Sequence, residues 1–251
     1  MKSTVNKQKF RVSIVVLNYL NYKDTIECVD SALNQNYLIQ KIIIVDNGSD
    51  NQSVEEIKKY YINNKKIKFI CLTKNLGFAK GNNIGIQYAR EREGADFVLV
   101  VNNDTKFVDV NYVRILIENY DPKTGVIGSA IQLLDGSIQN EHKGWFDLRQ
   151  CLLYYLNLFS AKRGSSFDFQ IGKRNGPKIL QGSSLLFTPS FFQYYKGFYP
   201  RTFLYHEEEI LYLMCVYKKL RQKYVSSTAI LHKEDRSSRL SYNNDMHVKT
   251  L

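Results

Sequence analysis

Apolar residues fall into short runs, separated by stretches in which they recur every three or four positions. Val12 to Leu17 is a nearly continuous, β-branched run, which predicts a strand buried on both faces. Asp24 to Gln35 then places Ile26, Val29 and Leu33 on one helical face. Lys41 to Val45 predicts a second strand, running into the loop residues Asp46-Asn47-Gly48-Ser49-Asp50. Ser53 to Ile62 reads as a helix, with Ser53 and Glu56 spaced as a capping box. Ile67 to Leu72 is a third strand, Ala79 to Arg92 a helix, and Asp96 to Val101 a fourth strand. Strands separated by helices imply crossover connections, hence an α/β fold with a mainly parallel sheet. Such sheets bind ligands beyond the carboxyl ends of their strands, where the polar clusters after strands one, two and four fall.

The second half is patterned more loosely. Asn111 to Tyr120 reads as a helix and Val126 to Leu134 as a strand. Lys178 to Phe187 reads as one strand around Gly182, Glu207 to Gln222 as a helix, and Tyr224 to Leu231 as the last strand. Between Gln139 and Gly176 only Cys151 to Phe159 stands out, as an apolar stretch expected in the core, with a surface that meets a lipid-like acceptor or membrane as the alternative. From Lys233 onward the chain is polar and is expected to be a loose tail. No internal repeat or interdomain linker interrupts the 251 residues, which suit one domain.

Composition narrows the function classes. The formal net charge is +11, which suits nucleic acid, an anionic membrane surface or a diphosphate substrate. Its basic clusters, such as Lys218-Lys219-Arg221-Lys223, do not interleave with aromatics as a single-strand platform does, so a nucleic-acid role is not expected. The four cysteines form no CxxC pair, which argues for a reducing compartment and against a zinc site. Residues 1–9 lack the apolar stretch of a signal peptide, and no segment has the length of a membrane span. A cytoplasmic protein is expected, with weak attraction to the inner face of a membrane.

Three polar segments carry candidate chemistry. Val98 to Thr105 ends a buried strand in Asn102-Asn103-Asp104, and Asp104 there is the natural ligand for a divalent ion. Such an ion needs few protein ligands when phosphate and water complete its shell, although Asn and Asp also favour turns for their own reasons. In Val45 to Asp50, Asp46 is placed to accept a hydrogen bond from a base or ribose, while Gly48 permits close backbone approach. Asn75 to Gly85 is a Gly/Asn-rich loop entering a helix, whose amides suit phosphate. It is neither a Walker A loop nor a full GxGxxG fingerprint.

The order of these segments resembles the family 2 glycosyltransferases. Asn18-Tyr19 follows strand one, DNGS strand two, NLGFAKGNN precedes a helix and NNDT follows strand four. Phe203 to Glu208 is similar to the family's FLYxED pattern, with Glu208 in place of the usual Asp, and Ala229 to His232 resembles the strand and histidine that follow. The closest flavour is the bacterial rhamnosyltransferase-like group that builds capsule and lipopolysaccharide. The resemblance implies a GT-A fold and an inverting transfer from a UDP- or dTDP-sugar to a saccharide or lipid-linked acceptor. It divides the chain into a nucleotide-binding half over 10–110 and a half over 111–232 that binds acceptor and carries the base. Asn18 and Asp46 would contact the nucleoside, and Asn82 would lie near base or phosphates. Asn75, Gly77, Asn102, Asn103 and Gly182 fall in the segments expected to complete the nucleotide-sugar site. Asp104 would bind Mg²⁺ or Mn²⁺ with His232 as a second ligand, and Glu207 and Glu208 hold the position of the catalytic base. Two competing classes are a nucleotidyltransferase, whose glycine-rich start is absent here, and a non-catalytic nucleotide- or sugar-binding protein.

Overall fold

The computed structural model describes residues 10–139, 142–143, 178–204 and 206–233. The apolar stretch Cys151 to Phe159 and the tail after Lys233 lie outside the described residues. The first half alternates as its pattern predicts. Strands β1 (Val12–Asn18), β2 (Ile39–Asp46), β3 (Ile67–Cys71) and β4 (Phe97–Asn102) are separated by α1 (Tyr22–Leu33), α2 (Ser53–Tyr60) and α3 (Phe78–Glu91). A two-residue strand β5 (Thr105–Lys106), helix α4 (Tyr112–Glu118), and strands β6 (Thr124–Gln132), β7 (Ile138–Gln139) and β8 (His142–Lys143) follow. The chain closes with β9 (Lys178–Ile179), β10 (Ser184–Phe187), α5 (Pro189–Phe192), α6 (Glu207–Tyr217) and β11 (Arg221–His232).

One sheet runs in the order β3-β2-β1-β4-β10-β6-β11-β5, with β7 paired to β6. The four strands from β3 to β4 are parallel, as right-handed crossovers through helices require. Beyond β4 the sheet is mixed, because β10 enters antiparallel between β4 and β6. Strand β11 then runs parallel to β6 and antiparallel to β5.

Side-chain alternation divides the core into two layers. Ile14 and Val16 of β1, with Phe97, Leu99 and Val101 of β4, face Cys28, Val29, Ile57 and Tyr112 on α1, α2 and α4. Val15, Val98 and Val100 face the other way, toward Ala79 and Ile86 of α3, Phe191 of α5 and Leu211 of α6. Helix α3 can lie close because a Cβ on Gly85 would meet Val15 Cγ1 at 2.5 Å.

Several expected boundaries move, each for a local reason. The buried positions of α1 are Thr25, Cys28, Val29 and Ala32, with Ile26 and Leu33 at the edge, so its inner face is rotated toward a polar residue. The capping box at Ser53 does not form. Gln52 is the N-cap without a side-chain bond, and the Asn51 Oδ1 instead accepts from the Ser53 amide at 3.0 Å. Lys178 to Phe187 is not one strand. Lys178 and Ile179 pair with β8 in a separate ribbon, and Gln181 to Ser183 is a turn before β10.

The helix expected to reach Gln222 stops at Tyr217. The Leu220 amide donates to the Cys215 carbonyl and the Lys219 amide to the Val216 carbonyl, both at 2.9 Å. These are the two bonds of a Schellman motif, with Cys215 and Leu220 packed together against Gly125. Lys219 takes the left-handed position at φ 56, where glycine is usual. A left-handed residue with a Cβ costs roughly 1–2 kcal/mol, partly offset by the extra chain entropy that glycine loses. Lys219→Gly is therefore expected to raise the unfolding free energy by about 0.5–1 kcal/mol in urea titrations.

Candidate active site

The carboxyl ends of β1, β2 and β4 meet in a buried chain of hydrogen bonds. Asn18 closes β1 directly beside Asp46, which closes β2. The Asn18 Nδ2 donates to Asp46 Oδ2 at 2.6 Å, and the Ser49 hydroxyl donates to the same oxygen at 2.8 Å. The Ser49 amide donates to Asp46 Oδ1 at 2.9 Å. On the other side, the Thr25 hydroxyl donates to Asn18 Oδ1 at 2.7 Å and accepts from Asn103 Nδ2 at 3.1 Å. Asn18, Asp46 and Thr25 are fully buried and Asn103 nearly so. Asp46 thus engages both oxygens inside the protein, Oδ2 with two donors and Oδ1 with one. Thr25 is the member that sequence reading missed, because the apolar period placed the inner face of α1 on Ile26, Val29 and Leu33.

Asn47 ties this edge to the glycine-rich loop, and it too was missed as anything but a turn residue. Its Nδ2 donates to Asn75 Oδ1 at 2.8 Å and its Oδ1 accepts from the Leu76 amide at 3.0 Å. Asn75 Oδ1 also accepts from the Gly77 amide at 2.8 Å. Gly77, at φ 83, lies against the backbone of Phe203, whose carbonyl a Cβ would meet at 2.3 Å. That carbonyl accepts from the Phe78 amide at 2.8 Å, so the first amide of α3 is already bonded to protein. Asn82, one turn further on, is fully buried, and its side-chain Oδ1 has no hydrogen-bond partner.

The turn from β4 into β5 brings Asp104 beside the end of β11. Thr105 pairs with His232, and the Lys233 amide donates to the Asp104 carbonyl at 3.0 Å. Asp104 Oδ1 lies 3.3 Å from His232 Nε2, close but not aligned as a hydrogen bond, so that buried oxygen has no donor. His232 Nδ1 is also buried and unpartnered. An orphaned carboxylate oxygen beside an imidazole fits a divalent ion, which would relieve the buried charge. No cluster of three such ligands occurs among the described residues, so the remaining positions would fall to phosphate and water. The pair is braced from behind by Lys233, whose Nζ meets Asp24 Oδ1 at 2.7 Å and also contacts Glu27. Burial alone would lower the Lys233 pKa, but these two carboxylates outweigh it and raise it.

The insertion of β10 carries the acidic start of α6 to the same edge. The Asn102 amide donates to the Ser183 carbonyl at 3.0 Å, fixing the 181–183 turn beside the end of β4. The neighbouring Gly182 amide donates to Glu208 Oε1 at 3.1 Å, and a Cβ at Gly182 would meet that oxygen at 2.4 Å. Glu207 instead turns inward, nearly buried, with Oε1 unpartnered. Desolvation is the main cause that raises its pKa to about 7, helped by the charges of Glu208 and Glu209 and opposed by a bond with Thr202.

The mixed sheet with helices on both faces is the GT-A fold of solved glycosyltransferases. The chain matches the Glycosyl transferase family 2 model over residues 13–179, and it belongs to that family. It is 28% identical over 120 residues to Glycosyltransferase GlyG of Streptococcus pneumoniae, covering 47% of this chain and 38% of that one. It is 33% identical over 129 residues to Poly-beta-1,6-N-acetyl-D-glucosamine synthase of Staphylococcus aureus, covering 50% of this chain and 30% of the relative. The matched part is thus well under half of either relative. Among solved structures, mannosyltransferase PcManGT from Pyrobaculum calidifontis, in complex with GDP-Man and Mn²⁺, superposes with a TM-score of 0.65. That likeness covers 94% of this chain and 60% of the other at 12% identity, and it bears on fold alone.

The buried Glu207 makes stability depend on pH. With a folded pKa near 7 against about 4.5 unfolded, the native state holds the extra proton between those values. Stability is then full below about pH 4.5 and falls as pH rises through 7. Glu207→Gln, which keeps the shape without the charge, should gain roughly 1–3 kcal/mol over the parent at pH 8 and little at pH 5. Urea unfolding at the two pH values checks this.

Proposed function

We propose that this family 2 member is an inverting, metal-dependent glycosyltransferase. It would move a sugar from a nucleoside diphosphate, UDP or dTDP, to a hydroxyl of a saccharide or lipid-linked saccharide. Two contacts support the reading: Asp104 lies 3.3 Å from His232, and Glu208 bonds the Gly182 amide in the turn that is held beside the end of β4. The names of the relatives, one a polysaccharide synthase, support a role in cell-surface polysaccharide synthesis. The family match sets the nucleotidyltransferase reading aside.

Asp104 and His232 would hold Mg²⁺ or Mn²⁺, which supplies electrostatic stabilisation of charge growing on a diphosphate leaving group. Asn18, Asp46 and Asn75 would shape the nucleoside side, with Asn82 offering its unpartnered buried oxygen to the donor. Asn102, Asn103 and Gly182 would line the passage between the two ends of the reaction. Glu208 is assigned as base. Its carboxylate is held toward the β4 edge by the Gly182 amide, whereas Glu207 points into the protein. It would accept the proton of the acceptor hydroxyl while that oxygen bonds the anomeric carbon and the bond to the diphosphate breaks. One displacement with one base inverts the anomeric centre. Membrane attraction through Cys151 to Phe159 falls outside the described residues, and the acceptor is proposed on the family resemblance alone.

Two outcomes test the reading. Nucleoside diphosphates from a uridine, thymidine and guanosine panel should bind more tightly with Mn²⁺ than with chelator by calorimetry. Asp104→Ala should erase that difference while its far-UV circular dichroism stays unchanged; equal affinity in both conditions for the parent would end the metal assignment. Glu208→Gln should lower turnover roughly 10² to 10⁴-fold with donor affinity nearly unchanged. Glu207→Gln should affect the chemical step less. Full activity in Glu208→Gln and a dead Glu207→Gln would reverse the roles. A protein that binds the donor in metal yet neither transfers nor hydrolyses it would be the non-catalytic binder instead.

A further inference from the structure

After its acidic first turn, helix α6 is apolar all round from Ile210 to Tyr217, yet only one side of it is buried. Leu211 and Cys215 enter the core, while Leu213, Val216 and Tyr217 share the opposite face at helical spacing and are 43%, 51% and 78% exposed. A helix with no polar face ordinarily has a second partner. Beside it Tyr194 is 50% exposed, and the Lys218 ammonium lies 5.3 Å from its ring centroid and 4.9 Å from that of Tyr217. A groove of about 660 Å³ flanks this face, with Tyr195, Lys196, Tyr199 and Met214 in its wall.

The charge around the patch is one-sided. From Ile210 to Lys223 the sequence has no Asp or Glu, but it has Lys218, Lys219, Arg221 and Lys223. Among the described residues, Asp121 is paired with Arg221 at 2.9 Å, Lys223 bonds the Asn119 carbonyl next to Glu118, Glu209 sits in the first turn of α6 near His206, and Glu91 lies across the groove. Apolar side chains, amphipathic tyrosines and ammonium groups make up the chemistry of a lipid–water interface.

We propose that the outer face of α6, with Tyr194 and Lys218, docks on the surface of an anionic lipid bilayer. Leu213, Val216 and Tyr217 enter the headgroup boundary and the lysines meet lipid phosphates. The helix is about 16 Å long, so lying flat it keeps its first turn, with Glu207 and Glu208, at the level of that surface. The docking uses none of the residues assigned to catalysis, and its test needs neither donor nor acceptor.

Flotation of the full chain with phosphatidylglycerol–phosphatidylcholine vesicles should recover it at least roughly tenfold better than with phosphatidylcholine alone, and less well as salt rises. Val216→Asp and the double change Lys218→Glu, Lys219→Glu should each reduce recovery by roughly tenfold or more, with thermal unfolding showing that both variants fold. Equal recovery on the two vesicle types, or parent-like recovery of either folded variant, would overturn the proposal. So would a concentration-dependent dimer in light scattering that Val216→Asp abolishes, which would assign the face to a second copy.

Discussion

A fully buried carboxylate has to be satisfied, and at Asp46 that requirement organises the whole edge of the sheet. Its donors are Asn18 on the adjacent strand and Ser49 in its own turn, and Asn18 in turn engages Thr25, which engages Asn103. The chain of bonds therefore crosses β2, β1, the first turn of α1 and the end of β4. In a low-dielectric interior such a network is strong when complete and costly when one member is removed. It fixes how far the three strand ends may move relative to one another. The loops above them inherit that rigidity, which is what a site on loops needs.

The second organising fact is the reversal of β10. A fifth parallel strand beside β4 would have carried its carboxyl end to this edge and its amino end away. Running antiparallel, β10 instead delivers the 181–183 turn before it to the end of β4, and Glu208 follows through its bond to Gly182. Strand β11, parallel to β6, ends beside β5 and brings His232 to Asp104. Residues more than a hundred positions apart in the chain thus share a few ångströms.

The parallel half was legible because each element had a strong local signature, a β-branched run or a 3.6-residue period. The boundaries that failed turn on interactions such a pattern does not encode. Leu220 looks helical by apolarity, but two backbone bonds and its packing with Cys215 end the helix at Tyr217. Lys178 to Phe187 looks like one strand until Gly182 must make room for Glu208. At the candidate site, motif-like spacing is enough to nominate Asp104 and the Glu207-Glu208 pair from sequence. Thr25, Asn47 and Lys233 escape such a reading, since their roles come from Asn103, Asn75 and Asp24, partners 28 or more positions away in sequence.

The contact of Gly77 with Phe203 joins the loop after β3 to the segment before α6 through main-chain atoms on both sides. Such a joint is indifferent to side-chain identity everywhere except at the glycine. Side chains on either flank can therefore change without shifting the span between them. The span between the loop and α6 is thereby set by backbone alone, with the missing Cβ at Gly77 as its single side-chain requirement.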